Sequence, residues 1–318
     1  MPFDLQVFNK QTYLAMTETV AQDVDKFNES SQGAIILINQ ASSGDFDIQA
    51  SFKNIAGLVR RRNAYGDGVV DSKRLEQLLN VAVKVAAGTP PIEYEKQQYL
   101  WVQQNPELAA LEIGTQLGKA KLADMLNAGL MGAASALGGN SQAVEGDGTA
   151  EPNFRLLNKG ASRMGDRSGA LRAWILHSTT LHNLYDNALT NAERLFSYDG
   201  VSVIQDSFGR VFVVTDSPAL ATTVDGKTYY NTLGLVEGGI VISDNQDFNA
   251  ELVPTTGKEN LLYTYQAEWS YNVGIKGYAW DQANGGKSPS DTAIGTPTNW
   301  DLKASSIKDT AGVLVKSK

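Results

Sequence analysis

Few residues of this chain stand where chemistry would need them. His177 and Ser178 are adjacent, a base beside a nucleophile. Neighbours on a strand point to opposite faces, so the pair is not set to meet. No glycine elbow surrounds the serine. The residue types fit a helix cap next to a buried or edge histidine, and His182 further along brings no carboxylate at a matching spacing. Gly286-Lys287-Ser288 ends as a phosphate-binding loop ends, but Asp281 occupies the place of that loop's first glycine. Gly114-Thr115-Gln116-Leu117-Gly118-Lys119 is one residue too short for the same motif. Asp244-Asn245-Gln246-Asp247-Phe248-Asn249-Ala250-Glu251 gathers many oxygens without the glycine and ligand alternation of a calcium loop. A solvated turn is expected there. Arg60, Arg61 and Arg62, followed by Tyr65, form the one basic cluster. Basic residues beside an aromatic could suit nucleic acid, but in a chain of net charge −8 they more often mark a solvated edge.

Composition narrows the chemistry further. The chain has 318 residues and no cysteine, which excludes disulfides, thiolate metal sites and cysteine nucleophiles. Two histidines are too few for a histidine-rich metal centre. No catalytic residue, cofactor or metal is therefore expected. A formal net charge of −8 argues against tight non-specific binding to nucleic acid, where neutralised phosphates supply most of the affinity. Charged residues are 19% of the chain, below the usual quarter, as suits a surface largely buried against neighbours. Met1-Pro2-Phe3-Asp4 does not open a signal peptide, and no run approaches the length of a membrane span. A soluble protein made in a cytoplasm is expected.

The elements that must position these residues read as mixed helix and strand. Thr12 to Phe27 suits a surface helix with Leu14, Met16 and Val20 on one face. Ala34-Ile35-Ile36-Leu37-Ile38 suits a strand buried on both faces. Phe46-Asp47-Ile48 and Ala56-Gly57-Leu58-Val59 suggest short strands. Val70 to Ala87 reads as a helix with a stripe of Leu75, Leu78, Leu79, Val81, Ala82 and Val85, stopped at Gly88-Thr89-Pro90-Pro91. Pro106 to Leu137 is the clearest helix, about 48 Å long if unbroken. Asn105 is its expected cap and Pro106 its first residue. Gly114, Gly118, Gly129 and Gly132 inside it invite close approach of other backbone. Ala173-Trp174-Ile175-Leu176, a helix from Ser178 or Thr179, Val201-Ser202-Val203-Ile204 and Val211-Phe212-Val213-Val214 form a strand–helix–strand unit. Asp225-Gly226-Lys227 predicts a hairpin turn, and several alternating strands follow. The class is α+β with a mainly antiparallel sheet.

The string GDRSGALRAWILHSTTLHNLYDNAL, then FGRVFVVTDSPAL, then the tail SPSDTAIGTPTNWDLKASSIKDTAGVLVKS, resembles the major capsid proteins of tailed bacteriophages. The resemblance is to the HK97-type coat fold, in its capsid protein 13-like branch. It implies an N-terminal arm at 1–40 and an extended β-hairpin loop at 41–95. It implies a peripheral domain at 96–150 and 253–290 with a spine helix at 106–137, and a central axial domain at 151–252 and 291–318. It implies self-assembly into hexamers and pentamers of an icosahedral head enclosing double-stranded DNA, in the virion, after synthesis in a host cytoplasm. The partners it implies are copies of the chain itself, scaffold, portal or decoration proteins, and DNA contacted weakly, with no membrane. The contact candidates are Arg60, Arg61, Arg62 and Tyr65 on the loop, and Asp225 and Lys227 at the axis. Some relatives join subunits through Lys–Asn isopeptide bonds, but no lysine, asparagine and carboxylate trio can be placed here. The alternative from composition alone is a cytoplasmic mixed α/β enzyme or binding domain with an unidentified pocket.

Overall fold

The computed structural model describes residues 5–41, 44–52, 64–70, 77–94, 100, 104–184, 193–198, 201–205, 211–224, 226–255 and 262–318. Helices α1 (Leu5–Ser30) and α2 (Pro106–Gly138) lie against a first sheet. That sheet contains β1 (Ile35–Asn39), β2 (Phe46–Phe52), β3 (Gln77–Gly88) and β4 (Ile92–Tyr94) from the N-terminal part of the chain. A second sheet contains β5 (Val144–Glu145), β6 (Leu171–Leu176), β7 (Glu193–Tyr198), β8 (Val201–Gln205), β9 (Val211–Thr215), β10 (Ala221–Val224) and β11 (Lys227–Val236). The chain then returns to the first sheet as β12 (Ile240–Asp244), β13 (Asn249–Thr255) and β14 (Leu262–Ile275). A ribbon of β15 (Tyr278–Trp280) and β16 (Trp300–Leu302) follows, and β17 (Gly312–Ser317) ends in the second sheet.

The first sheet runs β1-β12-β14-β3-β2, with β13 and β4 along the far half of β14. Residues of one parity, Ile35, Leu37, Ile240, Ile242, Val273, Ile275, Val83 and Val85, are all buried. Ile240, Ile242 and Ile275 of that set meet α2 at Gly129 and Gly132. Each such side chain taken from water contributes about 1.5–3 kcal/mol, and the layer of helix on sheet holds together mainly by this term.

Helix α2 extends over 33 residues, about 50 Å, one residue past the expected end. Asn105 sits at the cap position, but its side chain makes no bond to the first turn, unlike the expectation. Four glycines do not break the helix, and two of them seat α1. A Cβ on Gly114 would lie 2.6 Å from the Thr12 carbonyl oxygen, and one on Gly118 3.3 Å from that of Met16. The two helices therefore run parallel, backbone close to backbone. The buried stripe of α1 is Thr12, Met16, Val20, Val24 and Phe27, spaced by three and four. Leu14, expected on that face, is 56% exposed. It stands two positions from Met16, about 200° around the helix.

One expected element changes type. Within 70–87, residues 77–87 are strand, not helix: β3 carries Val81, Val83 and Val85 in alternation. Val83 and Val85 point to the helices, while Ala82 and Lys84 point away. β-Branched side chains spaced by two belong on a pleat. The helical spacing came from the leucines at 75, 78 and 79, and residues 71–76 lie outside the described residues. So does the strand expected at 56–59. Strands β12 and β13, expected with the second unit, are hydrogen-bonded to β14 in the first sheet.

In the second sheet the order is β5-β17-β11-β6-β9-β8-β7, with β10 beside β11. The C-terminal strand β17 returns, as expected, and lies between β5 and β11.

Candidate assembly surfaces

Strand directions place Lys227, expected at the axis, within the second sheet. β6 and β9 are parallel, and β8 is antiparallel to β9. β7 is antiparallel to β8, so it runs with β6. β11 is antiparallel to β6, and β10 and β17 are antiparallel to β11. The ends of β6, β7, β9, β10 and β17 therefore all lie at one end of the sheet. β7 finishes there at Tyr198, β10 at Val224 and β17 at Ser317, with His177 and Asp216 just past the ends of β6 and β9. Lys227 is exposed at the start of β11. Asp225 lies outside the described residues. Leu195 to Tyr198 belong to strand β7, and residues 199 and 200 lie outside the described residues.

At this end His177 and Ser178 meet a carboxylate. The Ser178 N–H donates to Asp216 at 3.3 Å, and the Thr179 N–H donates to His177 Nδ1 at 3.2 Å. His177 Nε2 lies 3.5 Å from Asp216. The hydrogen bond from Ser178 holds the Asp216 carboxyl below its ordinary range. The free amides of the short helix α3 (Ser178–Leu184) are therefore capped by Asp216 and His177, rather than by the Ser178 or Thr179 side chains. The serine turns to the aspartate and not to the histidine. This order does not activate a hydroxyl for attack.

The second surface is the β2–β3 hairpin. Val83 pairs with Phe46 on one side and Val273 on the other. Beyond it, Gln77 to Ala82 keep β2 as their ladder partner, while β14 ends at Ile275. The hairpin thus continues past the sheet. At its base Lys287 bridges to Asp45 at 2.7 Å and holds that carboxyl below its ordinary range. Residues 64–70, between the two strands, are exposed, and Tyr65 is 99% accessible. Arg60, Arg61 and Arg62 lie outside the described residues.

Sequence reasoning missed the polar links that fix α2. Lys121, 2% exposed, pairs with Asp244 at 2.6 Å. Asp244 and Asn245 are buried, so the expected solvated turn is in its first part an interior polar node. The Asn245 amide donates to Ser270 and the Asn272 amide to Asn245. Asp124 accepts from Tyr271 Oη at 2.7 Å. Burial pushes the Asp124 carboxyl up against that hydrogen bond, and burial pushes the Tyr271 phenol up as well. The available signal was Lys121 itself, a charge on the apolar face of a helix. Among the described residues no three histidine or carboxylate side chains gather as a metal ion requires, and no helix is long and apolar enough to cross a membrane.

Among solved structures the chain aligns with the cyanophage Pam1 capsid asymmetric unit at a TM-score of 0.51 and 11% identity, covering 88% of each chain. It also aligns with a structure of Mycobacterium phage Cain at a TM-score of 0.47 and 14% identity, over 90% of both. A further alignment is with the capsid of Ralstonia phage GP4, at a TM-score of 0.48 and 8% identity, over 89% of this chain and 87% of that one. No curated protein sequence matches. The fold is thus that of a phage capsid subunit. The chain belongs to the major capsid protein 13-like family, whose sequence profile matches residues 4–314. It is a major coat protein of a tailed-phage head, built to assemble with copies of itself in the virion capsid.

Proposed function

We propose that copies of this chain form five- and six-membered rings through the second sheet, and that the rings join into an icosahedral shell around double-stranded DNA. The observation that supports the ring is the shared end of the second sheet, where β6, β7, β9, β10 and β17 all finish. The β7–β8 and β10–β11 turns, with Asp225 and Lys227, face the ring axis. The β2–β3 hairpin reaches over a neighbour, with Arg60, Arg61 and Arg62 pairing to its carboxylates and Tyr65 packing on it. Repetition of modest contacts gives the shell its stability. Residues 1–40 serve as the arm, 41–95 as the loop, 96–150 and 253–290 as the peripheral domain, and 151–252 with 291–318 as the axial domain. Strand pairing favours moving 240–252 to the peripheral side. Scaffold, portal or decoration proteins attach to this shell, DNA touches it weakly, and synthesis takes place in a host cytoplasm.

The chain has no native cysteine, so Asp225→Cys and Ser141→Cys each provide one attachment point. A polyethylene glycol maleimide on residue 225 should block ring formation in sedimentation and electron microscopy. The same label on Ser141, in the exposed turn after α2, should be tolerated. Normal particles from both labelled proteins would remove residue 225 from the axis.

A further inference from the structure

Helix α3 starts on a histidine side chain. The Thr179 N–H donates to His177 Nδ1 at 3.2 Å. An Nδ1 that accepts a hydrogen bond carries no proton, so this imidazole is neutral and holds its proton on Nε2. Nε2 lies 3.5 Å from Asp216 Oδ1, which suits that tautomer. The Ser178 N–H donates to the same oxygen at 3.3 Å. The titratable side chains that face the imidazole are Asp216, just past β9, and Tyr230 of β11, whose ring centroid lies 5.0 Å from that of His177. His182, further along α3, is within reach of the Asp216 charge. The hydrogen bond from Ser178 holds the Asp216 carboxyl below its ordinary range, so Asp216 stays ionised while an imidazole titrates.

A proton added to His177 turns Nδ1 from acceptor into donor. Two N–H groups would then point at each other, and the Thr179 amide would lose its partner. The imidazolium is drawn instead to the Asp216 carboxylate. Cap and charge therefore exclude each other. We propose that His177 is a proton-operated cap, which fastens the first turn of α3 when neutral and releases it when protonated. The cap is thus present at higher pH and lost on acidification. Imidazole is the side chain whose ordinary charge change falls between about pH 5 and 8, so the switch works in a range where carboxylates and lysines stay fixed. α3 carries Leu181 and Leu184 into a cluster with Trp174, Leu176, Phe212 and Val214. Release of its first turn loosens the end of the second sheet where β6 and β9 finish. Acidification then weakens ring formation, a last step that rests on the ring reading above.

Hydrogen exchange of the full-length protein, read by mass spectrometry and corrected for the intrinsic effect of pH, follows the cap directly. From about pH 8 to about pH 5.5, protection in the peptide that holds Ser178 and Thr179 should fall about fivefold, as loss of one cap allows. His177→Asn keeps an uncharged cap acceptor at every pH and should stay protected at both. His182→Asn should respond as the native protein does, which assigns the switch to His177. Nitrogen NMR of the imidazoles should show the Nε2–H tautomer at His177 at the higher pH. Unchanged protection at the lower pH, the same loss in His177→Asn, or an Nδ1–H tautomer would overturn the proposal. If His177→Asn does not fold, the native pH series, His182→Asn and the tautomer still decide it. Sedimentation across the same pH range reads the rings separately. A pH-dependent cap with pH-independent rings would overturn the step to assembly and leave the cap in place.

Discussion

At the scale of the residue, the polar node under α1 and α2 sets the largest single-site effects. Lys121 and Asp244 are both buried, so removing one partner strands the other charge. Lys121→Met should lower unfolding free energy by about 3–5 kcal/mol, measured by denaturant titration of the unassembled chain. Adding Asp244→Leu should recover much of it, since no unpaired charge then remains. Asp124 behaves in the opposite way. Its carboxyl is raised from 3.8 in the fold, mainly by burial. The native state therefore holds the proton more tightly than the unfolded chain. Its contribution is most favourable below the unfolded value and is lost as pH rises through the folded one. Asp124→Asn keeps an acceptor for Tyr271 and removes this penalty. It should raise the melting temperature more at neutral pH than near pH 3, and an equal shift at both would mean that Asp124 carries no such penalty. The valines of β3 show how a residue-scale signal is misread. Their spacing by two was legible, but leucine spacing upstream suggested a helix, and only pairing with β14 and β2 decides between them.

At the scale of the element, α2 depends on an unbroken ladder and on glycine. Ala123→Pro should remove a ladder hydrogen bond, cost about 3 kcal/mol or more, and give insoluble or unassembled protein. Gly114→Ala is a sharper test of packing. In an open helix this change stabilises by about 1 kcal/mol. Here the added Cβ would press on the Thr12 carbonyl oxygen and on Ala15 Cβ, 2.6 and 2.9 Å away. Destabilisation, with faster proteolysis within α1, is expected instead. A gain in melting temperature would show that α1 does not sit on that face. The long helix itself was readable, because its apolar content and its start and stop residues agree. What its glycines touch was not, since that depends on a helix a hundred residues away in the chain.

At the scale of the whole molecule, the hairpin and the axis turns make separable predictions. Replacing Arg60, Arg61 and Arg62 by alanine should leave the subunit folded, weaken assembly and flatten its salt dependence, because screening then has fewer exposed charges to act on. Assembly that is unchanged across salt concentration, followed by light scattering, would place those arginines away from any neighbour.

The sequence by itself determined the α+β class, the long helix from Pro106, the strand–helix–strand unit around His177, and the resemblance to phage coat proteins. Each follows from local periodicity, capping residues or contiguous motifs, which need no knowledge of distant neighbours. The tertiary structure alone decided the sheet membership of β12 and β13. It also decided the strand character of 77–88, the pairing of Lys121 with Asp244, and the common end at which β6, β7, β9, β10 and β17 finish. These are outcomes of pairing between segments far apart in sequence. Register, strand direction and burial of a charge are fixed by the partner strand or helix, and nothing within a single segment encodes which partner that is.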